Sequence, residues 1–271
     1  MAIKKHRLAH EVVGMSQHHA SLVHALKHHA IDKAFNDVKK AVQNADLVVL
    51  STPVNTIMSL LPSISRFLKR GCIVTDVGST KVSIVETAEK LFNSAYFVGS
   101  HPMAGSDKKG SVYAIPDLFN HSLCIMTPTE RTNKAAEEKV KIFWTRLGAN
   151  VKVLSPMEHD KILAYISHLP HLIAYALIGM IPQEYLEYSA QGLKDTTRIA
   201  ASSPQMWNDI CMANSKNIIK SLDEMVKSLS VLRKQIVTRD EQNLVENFKK
   251  AKTKRDGLNP TPPAEKSNDE T

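Results

Sequence analysis

Ten residues, Cys72-Ile73-Val74-Thr75-Asp76-Val77-Gly78-Ser79-Thr80-Lys81, indicate the fold class most clearly. Its apolar and β-branched beginning predicts a buried strand over residues 72–76, and the hydroxyls of Ser79 and Thr80 predict the N-cap of a following helix. A strand that passes directly into a helix is typical of parallel βα units, whose helix N-termini expose amide donors at the carboxyl edge of the sheet. Anionic ligands bind at that edge, although an ordinary N-cap explains the same residues.

Similar apolar runs alternate with amphipathic stretches between residues 11 and 154. The predicted strands are residues 11–15, 47–51, 72–76, 96–99, 123–126 and 151–154. The predicted helices are residues 18–28, 37–43, 54–69, 80–92 and 133–147. This alternation predicts an α/β domain over residues 1–154, with a mostly parallel sheet covered on both faces.

The strand signals stop at Ser155-Pro156-Met157-Glu158, where an N-cap serine, a proline and a glutamate form a capping box. The chain is helix-like from there to about residue 252, with a second helix start at Ser203-Pro204. Apolar residues recur at helical spacing between residues 218 and 232 and must be buried against something. We therefore expect an all-α domain over residues 155–252 that forms a homodimer, with an intrachain core as the other explanation.

The composition is that of a globular protein, because 43% of the 271 residues are hydrophobic. The net charge of +8 is spread along the chain and aromatic residues make up only 6%, so we expect no nucleic-acid partner. Neither an apolar leader nor a long uncharged apolar window occurs, and the three cysteines are widely separated. These features predict a cytoplasmic protein with reduced thiols and no membrane partner. Residues 253–271 are polar and contain three prolines, which predicts a disordered tail.

His101 follows the predicted strand at 96–99, in a segment flanked by Gly99 and Gly105. We expect it in a loop at the same sheet edge as Ser79, where an imidazole is suited to accept a proton near neutral pH. An inert loop histidine is the alternative interpretation.

Ser167, His168 and His171 lie in an otherwise apolar helical stretch. Burying them carries a desolvation cost unless each is hydrogen-bonded or meets a ligand. Ser167 and His171 share one helical face, and Pro170 between them predicts a kink. Core histidines with satisfied hydrogen bonds are the alternative, and no third ligand at suitable spacing supports a metal site, so no metal is expected.

Lys194, Asp195 and Arg198 form a charged run at helical spacing. Such a run is usually a solvated face with an intrahelical ion pair. An arginine is equally the natural fork for binding a carboxylate. Both interpretations stay open on these residues alone.

Four motifs in this order resemble the prephenate and arogenate dehydrogenases of tyrosine biosynthesis. They are Val77 to Lys81, Gly99 to Gly105, Ser167 to His171, and Lys194 to Arg198. The resemblance extends from about Leu8 to Lys254 and implies a nucleotide-binding α/β domain followed by a helical domain that forms the dimer. It identifies an oxidoreductase that carries out the NAD(P)-dependent oxidative decarboxylation of prephenate to 4-hydroxyphenylpyruvate.

The resemblance also assigns roles to individual residues. It implies that His101 accepts the proton of the ring hydroxyl as hydride leaves, and that Ser79 hydrogen-bonds the same hydroxyl. Arg198 matches the residue that binds the ring carboxylate, and His171 favours prephenate over arogenate. The substrate-binding residues expected on this basis are Ser167, His171, Lys194, Arg198 and Trp207. The cofactor-binding residues expected are Ser16, Thr52, Pro53 and Gly78.

The chain departs from the family at its beginning, because no G-x-G-x-x-G turn occurs among its ten glycines. We expect an incomplete Rossmann-like doubly wound sheet whose first strand is missing, with a gap between residues 11–15 and 47–51. An N-terminally shortened enzyme is the explanation we expect. The cofactor is NAD or NADP, and the lack of a carboxylate in Ser16-Gln17-His18 favours NADP. Arogenate dehydrogenase and a cofactor-deficient, non-catalytic dimeric remnant are the alternatives, while a hydroxyacid dehydrogenase is disfavoured by the motif set.

Overall fold

A computed structural model describes residues 1–104 and 113–258 of the chain. It forms two compact units, residues 1–218 and residues 219–271. Gly105 of the predicted loop, and residues 259–271 of the predicted tail, lie outside the described residues.

The first unit contains the strands and most of the helices. The strands are β1 (Val13–Met15), β2 (Lys33–Phe35), β3 (Leu47–Leu50), β4 (Ile73–Asp76), β5 (Tyr96–Pro102), β6 (Leu123–Thr127) and β7 (Asn150–Val153). The helices between them are α1 (Ala2–Lys5), α2 (His19–Lys27), α3 (Val38–Val42), α4 (Val54–Ser65), α5 (Val82–Leu91) and α6 (Lys134–Arg146). β2 and α1 are additions to the predicted elements, since three or four residues are too few to show a period.

The strands form two separate sheets. β1 and β2 make a parallel pair, and the second sheet has the order β3-β4-β5-β6-β7. Its pairings are parallel except for the antiparallel pair β5 and β6. In the described part of the chain no ladder joins β1 to β3, so the break lies where the sequence predicts a gap.

Helices cover both faces of the larger sheet. Successive residues of a strand point to opposite sides, so two neighbouring residues of β4 show both layers. Val74 packs in a cluster with residues of α4 and α5, whereas its neighbour Ile73 packs in a second cluster with residues of α6. β4 lies between β3 and β5 in the sheet, and all four of its residues are buried. The predicted α/β plan, with a sheet buried on both faces, is confirmed.

The region after β7 is helical, as the sequence predicts. It contains α7 (Pro156–Leu163), a π-helical turn (Ala164–His168), α8 (Leu169–Met180), a 3₁₀ helix (Gln183–Tyr188), α9 (Gln191–Thr197), a second 3₁₀ helix (Arg198–Ala201), α10 (Pro204–Ala213), α11 (Ser215–Val237) and α12 (Glu241–Asp256). Ser155 forms the predicted capping box with Glu158. α12 continues to Asp256, so the prediction of a disordered tail from residue 253 is wrong for residues 253–256.

Candidate active site

A buried polar network joins the carboxyl end of β4 to the neighbouring strand β5. The Lys81 ammonium donates to the Asp76 carboxylate and, at 2.8 Å, to the carbonyl of Ser100. The Ser100 amide in turn donates to Asp76 Oδ1 at 3.1 Å. All three residues are fully buried, and burial lowers the pKa of Lys81 while the nearby Asp76 charge opposes this effect. A paired and hydrogen-bonded lysine is tolerated in such a place, and here it ties the two strand ends together.

The start of α5 is capped by a residue far away in sequence. Neither Ser79 nor Thr80 caps this helix, because Lys81 occupies the N-cap position and makes no side-chain capping bond. The Asp160 carboxylate of α7 instead accepts from the amides of Lys81 at 2.7 Å and Val82 at 2.9 Å. The prediction of a local hydroxyl cap is therefore wrong, and these two amides are already occupied by an anion of the protein itself.

His101 lies within β5 and not in a loop, since the strand extends to Pro102 and His101 pairs with Ile125 of β6. Its Nδ1 is 2.9 Å from Nε2 of the fully buried His159. His159 Nδ1 is in turn 2.8 Å from Asp160 Oδ1. An ionised carboxylate only accepts, so His159 donates from Nδ1 and accepts at Nε2. His101 therefore donates from Nδ1, and its lone pair is on Nε2.

Burial and neighbouring charges keep these imidazoles neutral. The pKa of His101 lies well below its ordinary value, because of burial first and then because of His159 and Lys81. Burial also lowers the pKa of His159, although its hydrogen bond to Asp160 opposes the shift. A neutral His101 with its lone pair on Nε2 can accept a proton there, and the Asp160 charge at the far end of the series offsets the positive charge that results.

The helical side of the site contains a π-turn just before Pro170. The predicted kink takes this form, because proline at the start of α8 has no amide to donate into the preceding turn. The turn ends at His168, which is buried beside the indole of Trp207 at a ring distance of 6.0 Å.

His171 and Trp207 stack face to face, with ring centroids 3.7 Å apart. His171 Nδ1 donates to the carbonyl of Ser167 at 2.9 Å, which orients the imidazole on the indole. Burial lowers the pKa of His171, and the nearby Arg198 charge lowers it further. The structure thus brings together four of the five predicted substrate-binding residues. They are Ser167 of the π-turn, His171 of α8, Arg198 of the second 3₁₀ helix and Trp207 of α10.

Lys194, the fifth, is exposed on α9. The intrahelical ion pair of the alternative interpretation is not formed within residues 194–198 of the described chain, and Asp195 accepts from the Gln191 side-chain amide at 2.7 Å. Arg198 is exposed too, and it begins the 3₁₀ helix that follows α9. A guanidinium that has no ion-pair partner in the described residues is available to a ligand carboxylate.

The predicted cofactor residues lie at two places. Thr52, Pro53 and Gly78 follow β3 and β4, which are adjacent parallel strands, whereas Ser16 follows β1 in the smaller sheet. The Thr52 hydroxyl is buried and has no hydrogen-bond partner within the described ranges, so it fits a polar group of a ligand at this edge. Gly78 has a packing reason as well, because a Cβ there would lie 2.8 Å from Ile84 and 2.9 Å from Asp76 Oδ2.

His159 and Asp160 contact His101 and the start of α5, and the sequence prediction did not include them. Their only signal in the sequence is a pair of adjacent titratable residues directly after the capping box of α7. Residues 1–104 and 113–258 hold no group of three or more histidine, cysteine or acidic side chains that could bind a metal. Cys72 and Cys124 are buried free thiols, whose pKa values burial raises to about 11 and about 12.

Two family sequence models match almost the whole described chain. The model of the prephenate dehydrogenase nucleotide-binding domain matches residues 1–153, and that of the prephenate dehydrogenase dimerization domain matches residues 155–250.

Individual relatives agree with these matches. The chain is 35% identical to a prephenate dehydrogenase of Bacillus subtilis, over 95% of this chain and 72% of the relative. It is also 35% identical to a cyclohexadienyl dehydrogenase of Zymomonas mobilis, over 83% of this chain and 79% of the relative. Among solved structures, a prephenate dehydrogenase of A. aeolicus in complex with hydroxyphenyl propionate and NAD+ superposes with a TM-score of 0.89. That structure is 34% identical and aligns over 95% of this chain and 92% of its own.

Proposed function

The chain belongs to the prephenate dehydrogenase family, and on that premise we propose that it oxidatively decarboxylates prephenate to 4-hydroxyphenylpyruvate. The observation that carries the proposal is the hydrogen-bonded series Asp160, His159 and His101, which places the lone pair of His101 on Nε2. Oxidation of a ring alcohol requires a base of this kind at the hydroxyl that becomes a ketone.

His101 acts as the base in this proposal. As the carbon that bears the hydroxyl loses hydride, Nε2 of His101 takes the hydroxyl proton, while the Ser79 hydroxyl hydrogen-bonds the same oxygen. A nicotinamide cofactor, when bound, supplies the acceptor for that hydride. His159 holds the Nδ1 proton of His101 in place, and Asp160 stabilises the positive charge on the pair. The ketone then withdraws electrons from the ring carboxylate, which leaves as carbon dioxide and makes the ring aromatic.

The stacked pair His171 and Trp207 forms the wall of the proposed substrate pocket. Arg198 provides the cation for the ring carboxylate, and Lys194 on the preceding turn adds positive charge. Ser167 and His171 face the side-chain end, and the presence of His171 favours prephenate over arogenate. The family match supports these roles, as do the stacking of His171 on Trp207 and the proximity of the Arg198 charge to His171.

We propose NADP or NAD as the cofactor, with Thr52, Pro53 and Gly78 beside it and Ser16 near its ribose. The absence of an acidic residue at Ser16-Gln17-His18 removes repulsion toward a 2′-phosphate, so NADP is favoured. The unpartnered Thr52 hydroxyl supports binding at the edge of β3.

We propose a cytoplasmic homodimer. α11 and α12 expose several large apolar side chains, among them Val226, Leu229, Ile236 and Phe248, which suits a face that packs on a second copy. One helical segment of the described chain, Pro156–Met180, is long and apolar enough to cross a membrane by length and composition. It carries the buried His159, Asp160 and His168, which suits a helix that supports a site in a water-soluble domain.

The test is the absorbance of reduced nicotinamide with purified protein, prephenate or arogenate, and NAD or NADP at millimolar concentration. We expect prephenate-dependent reduction, faster with NADP. Reduction with arogenate but not with prephenate would identify arogenate as the substrate. The absence of turnover with all four combinations, in a protein that is folded by circular dichroism, would refute the enzymatic proposal.

A further inference from the structure

The ladder between β4 and β5 ends just before the two segments that carry Ser79 and His101. The parallel pairing runs as far as Thr75 opposite Val98 and continues no further among the described residues. From Gly99 onward, β5 pairs with β6 in an antiparallel ladder. The sheet itself therefore does not fix the segment that follows β4 relative to the end of β5, and other contacts must do so.

A buried ion pair supplies these contacts. The side chains of Asp76 and Lys81 are fully buried and paired with each other. The Asp76 carboxylate also accepts from the main-chain amides of Gly78 at 2.9 Å and Ser100 at 3.1 Å, and the Lys81 ammonium donates to the Ser100 carbonyl at 2.8 Å. Gly78 and Ser100 immediately precede the two side chains that the proposed reaction places on the substrate hydroxyl. One ion pair thus binds the main chain beside both of them.

Lys81 is also linked to the imidazole end of His101, so the interactions form a closed loop. The Lys81 amide donates to Asp160 Oδ1 at 2.7 Å, and the same oxygen accepts from His159 Nδ1 at 2.8 Å. His159 Nε2 lies 2.9 Å from His101 Nδ1. The loop closes through the main chain, because the Lys81 ammonium binds the carbonyl of Ser100, the residue before His101. His101 is therefore held at its ring and at its main chain by groups that both contact Lys81.

We propose that Lys81, through its ion pair with Asp76, is a positioning residue that holds Ser79 and the base His101 at one substrate atom; its catalytic consequence rests on the proposed function. Stability alone does not account for such a pair, because uncharged residues of similar volume often replace a buried ion pair without loss. Positioning does account for it, since a displacement of about 1 Å at reacting groups can lower the rate about 10²-fold.

A double variant and a matched control separate positioning from packing. The double variant Asp76→Asn with Lys81→Met removes both buried charges together and nearly keeps the two side-chain volumes, so that no unpaired charge is left in the core. Thr75→Val is the control, because the Thr75 hydroxyl lies 2.9 Å from the Ser100 hydroxyl. It removes one buried contact between the same two strands and leaves the main-chain bonds of Ser100 in place.

Hydrogen–deuterium exchange of the Gly78 and Ser100 amides is the primary measurement, since it needs neither substrate nor cofactor. Both amides donate to the Asp76 carboxylate. We expect exchange at both to accelerate about tenfold in the double variant, as the loss of hydrogen bonds to a charged group does. Exchange in Thr75→Val should stay within about twofold of the wild type. Unchanged exchange at either amide of the double variant, or equal acceleration in the control, would overturn the proposal.

Kinetics with prephenate test the catalytic consequence. We expect kcat of the double variant to fall about 10-fold to 10²-fold with KM little changed, and kcat of Thr75→Val to stay within about twofold of the wild type. A folded double variant with the wild-type kcat would overturn the proposal. Wild-type protein without turnover would instead refute the proposed function, and the exchange experiment would still decide whether Lys81 holds the two segments.

The pH profile adds a measurement that a purely structural role would not change. The Lys81 charge lowers the pKa of His101, as do burial and the neighbouring His159 and His168, which the double variant leaves in place. Removing the ammonium should therefore raise the pKa of His101 and move the acid limb of kcat/KM to higher pH. An acid limb at the wild-type pH would contradict the proximity of Lys81 to the base.

If the double variant does not fold, nuclear magnetic resonance of the wild type decides. Scalar couplings across the hydrogen bonds should connect Lys81 Nζ to the Asp76 carboxylate and to the Ser100 carbonyl. Both couplings would support the proposal, and the lack of either one would overturn it.

Discussion

His101 Nδ1 lies 2.9 Å from His159 Nε2, although 58 residues separate the two histidines in sequence. The contact joins the end of β5 to α7, and Asp160 beside His159 sets the direction of both hydrogen bonds. The site thus contains a base whose tautomer is determined by a second imidazole and a carboxylate.

Replacing the base should abolish turnover while leaving substrate binding nearly unchanged. His101→Asn keeps a polar group toward His159 but has no nitrogen that can take up the hydroxyl proton. We expect kcat to fall about 10²–10⁴-fold, the usual contribution of general base catalysis. Absorbance of reduced nicotinamide gives kcat, and calorimetric titration with prephenate gives the affinity. Turnover at the wild-type rate would exclude His101 as the base.

Removing the partner of the base should also lower kcat. His159→Leu takes away the acceptor for His101 Nδ1–H, so that the proton moves between the two ring nitrogens and part of the population presents no lone pair. We expect kcat to fall about 10-fold to 10²-fold with a smaller change in KM.

His159→Gln is the matched control for this experiment, because its amide oxygen can replace the lost acceptor. It should recover part of the loss, and the thermal midpoints of both variants establish that each is folded. If His159→Leu keeps kcat within twofold of the wild type, the tautomer of His101 does not depend on this contact.

The buried histidines should make the protein sensitive to mild acid. The folded-state pKa values of His101, His159 and His168 all lie below the ordinary value, that of His168 at about 4. The unfolded state therefore binds protons first, and the free energy of unfolding falls as pH drops below about 6.5. His168 alone accounts for a loss of about 3 kcal/mol by pH 4.

Urea unfolding at pH 7.5, 6.0 and 5.0 measures this dependence. His168→Gln should flatten the slope below pH 6.5, since it removes one titrating group. A wild-type stability that does not change over this range would contradict the burial of neutral histidines.

Gly99 should not tolerate a side chain. A Cβ at this position would lie 2.4 Å from the Thr127 hydroxyl and 3.0 Å from Val85 Cγ2, inside the buried pair of β5 and β6. We expect Gly99→Ala to lower the free energy of unfolding by about 1–3 kcal/mol, as overpacking does. Gly192→Ala on α9 is the control, because no atom lies within 4 Å of its Cβ, and it should be neutral or stabilising by up to about 1 kcal/mol. Equal stability of the two variants in urea would contradict this close packing.

Thr52→Val tests the proposed cofactor site. The substitution removes the unpartnered hydroxyl at the end of β3 and leaves the shape of the side chain nearly unchanged. It should weaken binding of either dinucleotide about threefold to tenfold, as loss of one hydrogen bond does. Affinity equal to that of the wild type would remove Thr52 from the cofactor site.

Much of this protein can be predicted from sequence because the relevant signals are local. Apolar, β-branched runs predicted the strands of the larger sheet, because burial on both faces requires apolar residues throughout a strand. Amphipathic periodicity predicted most of the helices, because only one face of each is buried. The missing glycine turn predicted the break between β1 and β3, which the ladders show. The family motifs also pointed to His171 and Trp207, which are stacked in the structure.

Tertiary structure alone decided how the site is held together. Asp160 caps α5 across a separation of 79 residues, and no local pattern indicates that Ser79 and Thr80 leave this task to it. The hydrogen bond that orients His101 on His159 is also invisible in the sequence. It joins distant elements, so it depends on how α7 packs on the sheet. Sequence thus determined which side chains are present for the chemistry. The packing of α7 and the π-turn determined which nitrogen of each histidine carries a proton, and hence which one can accept it.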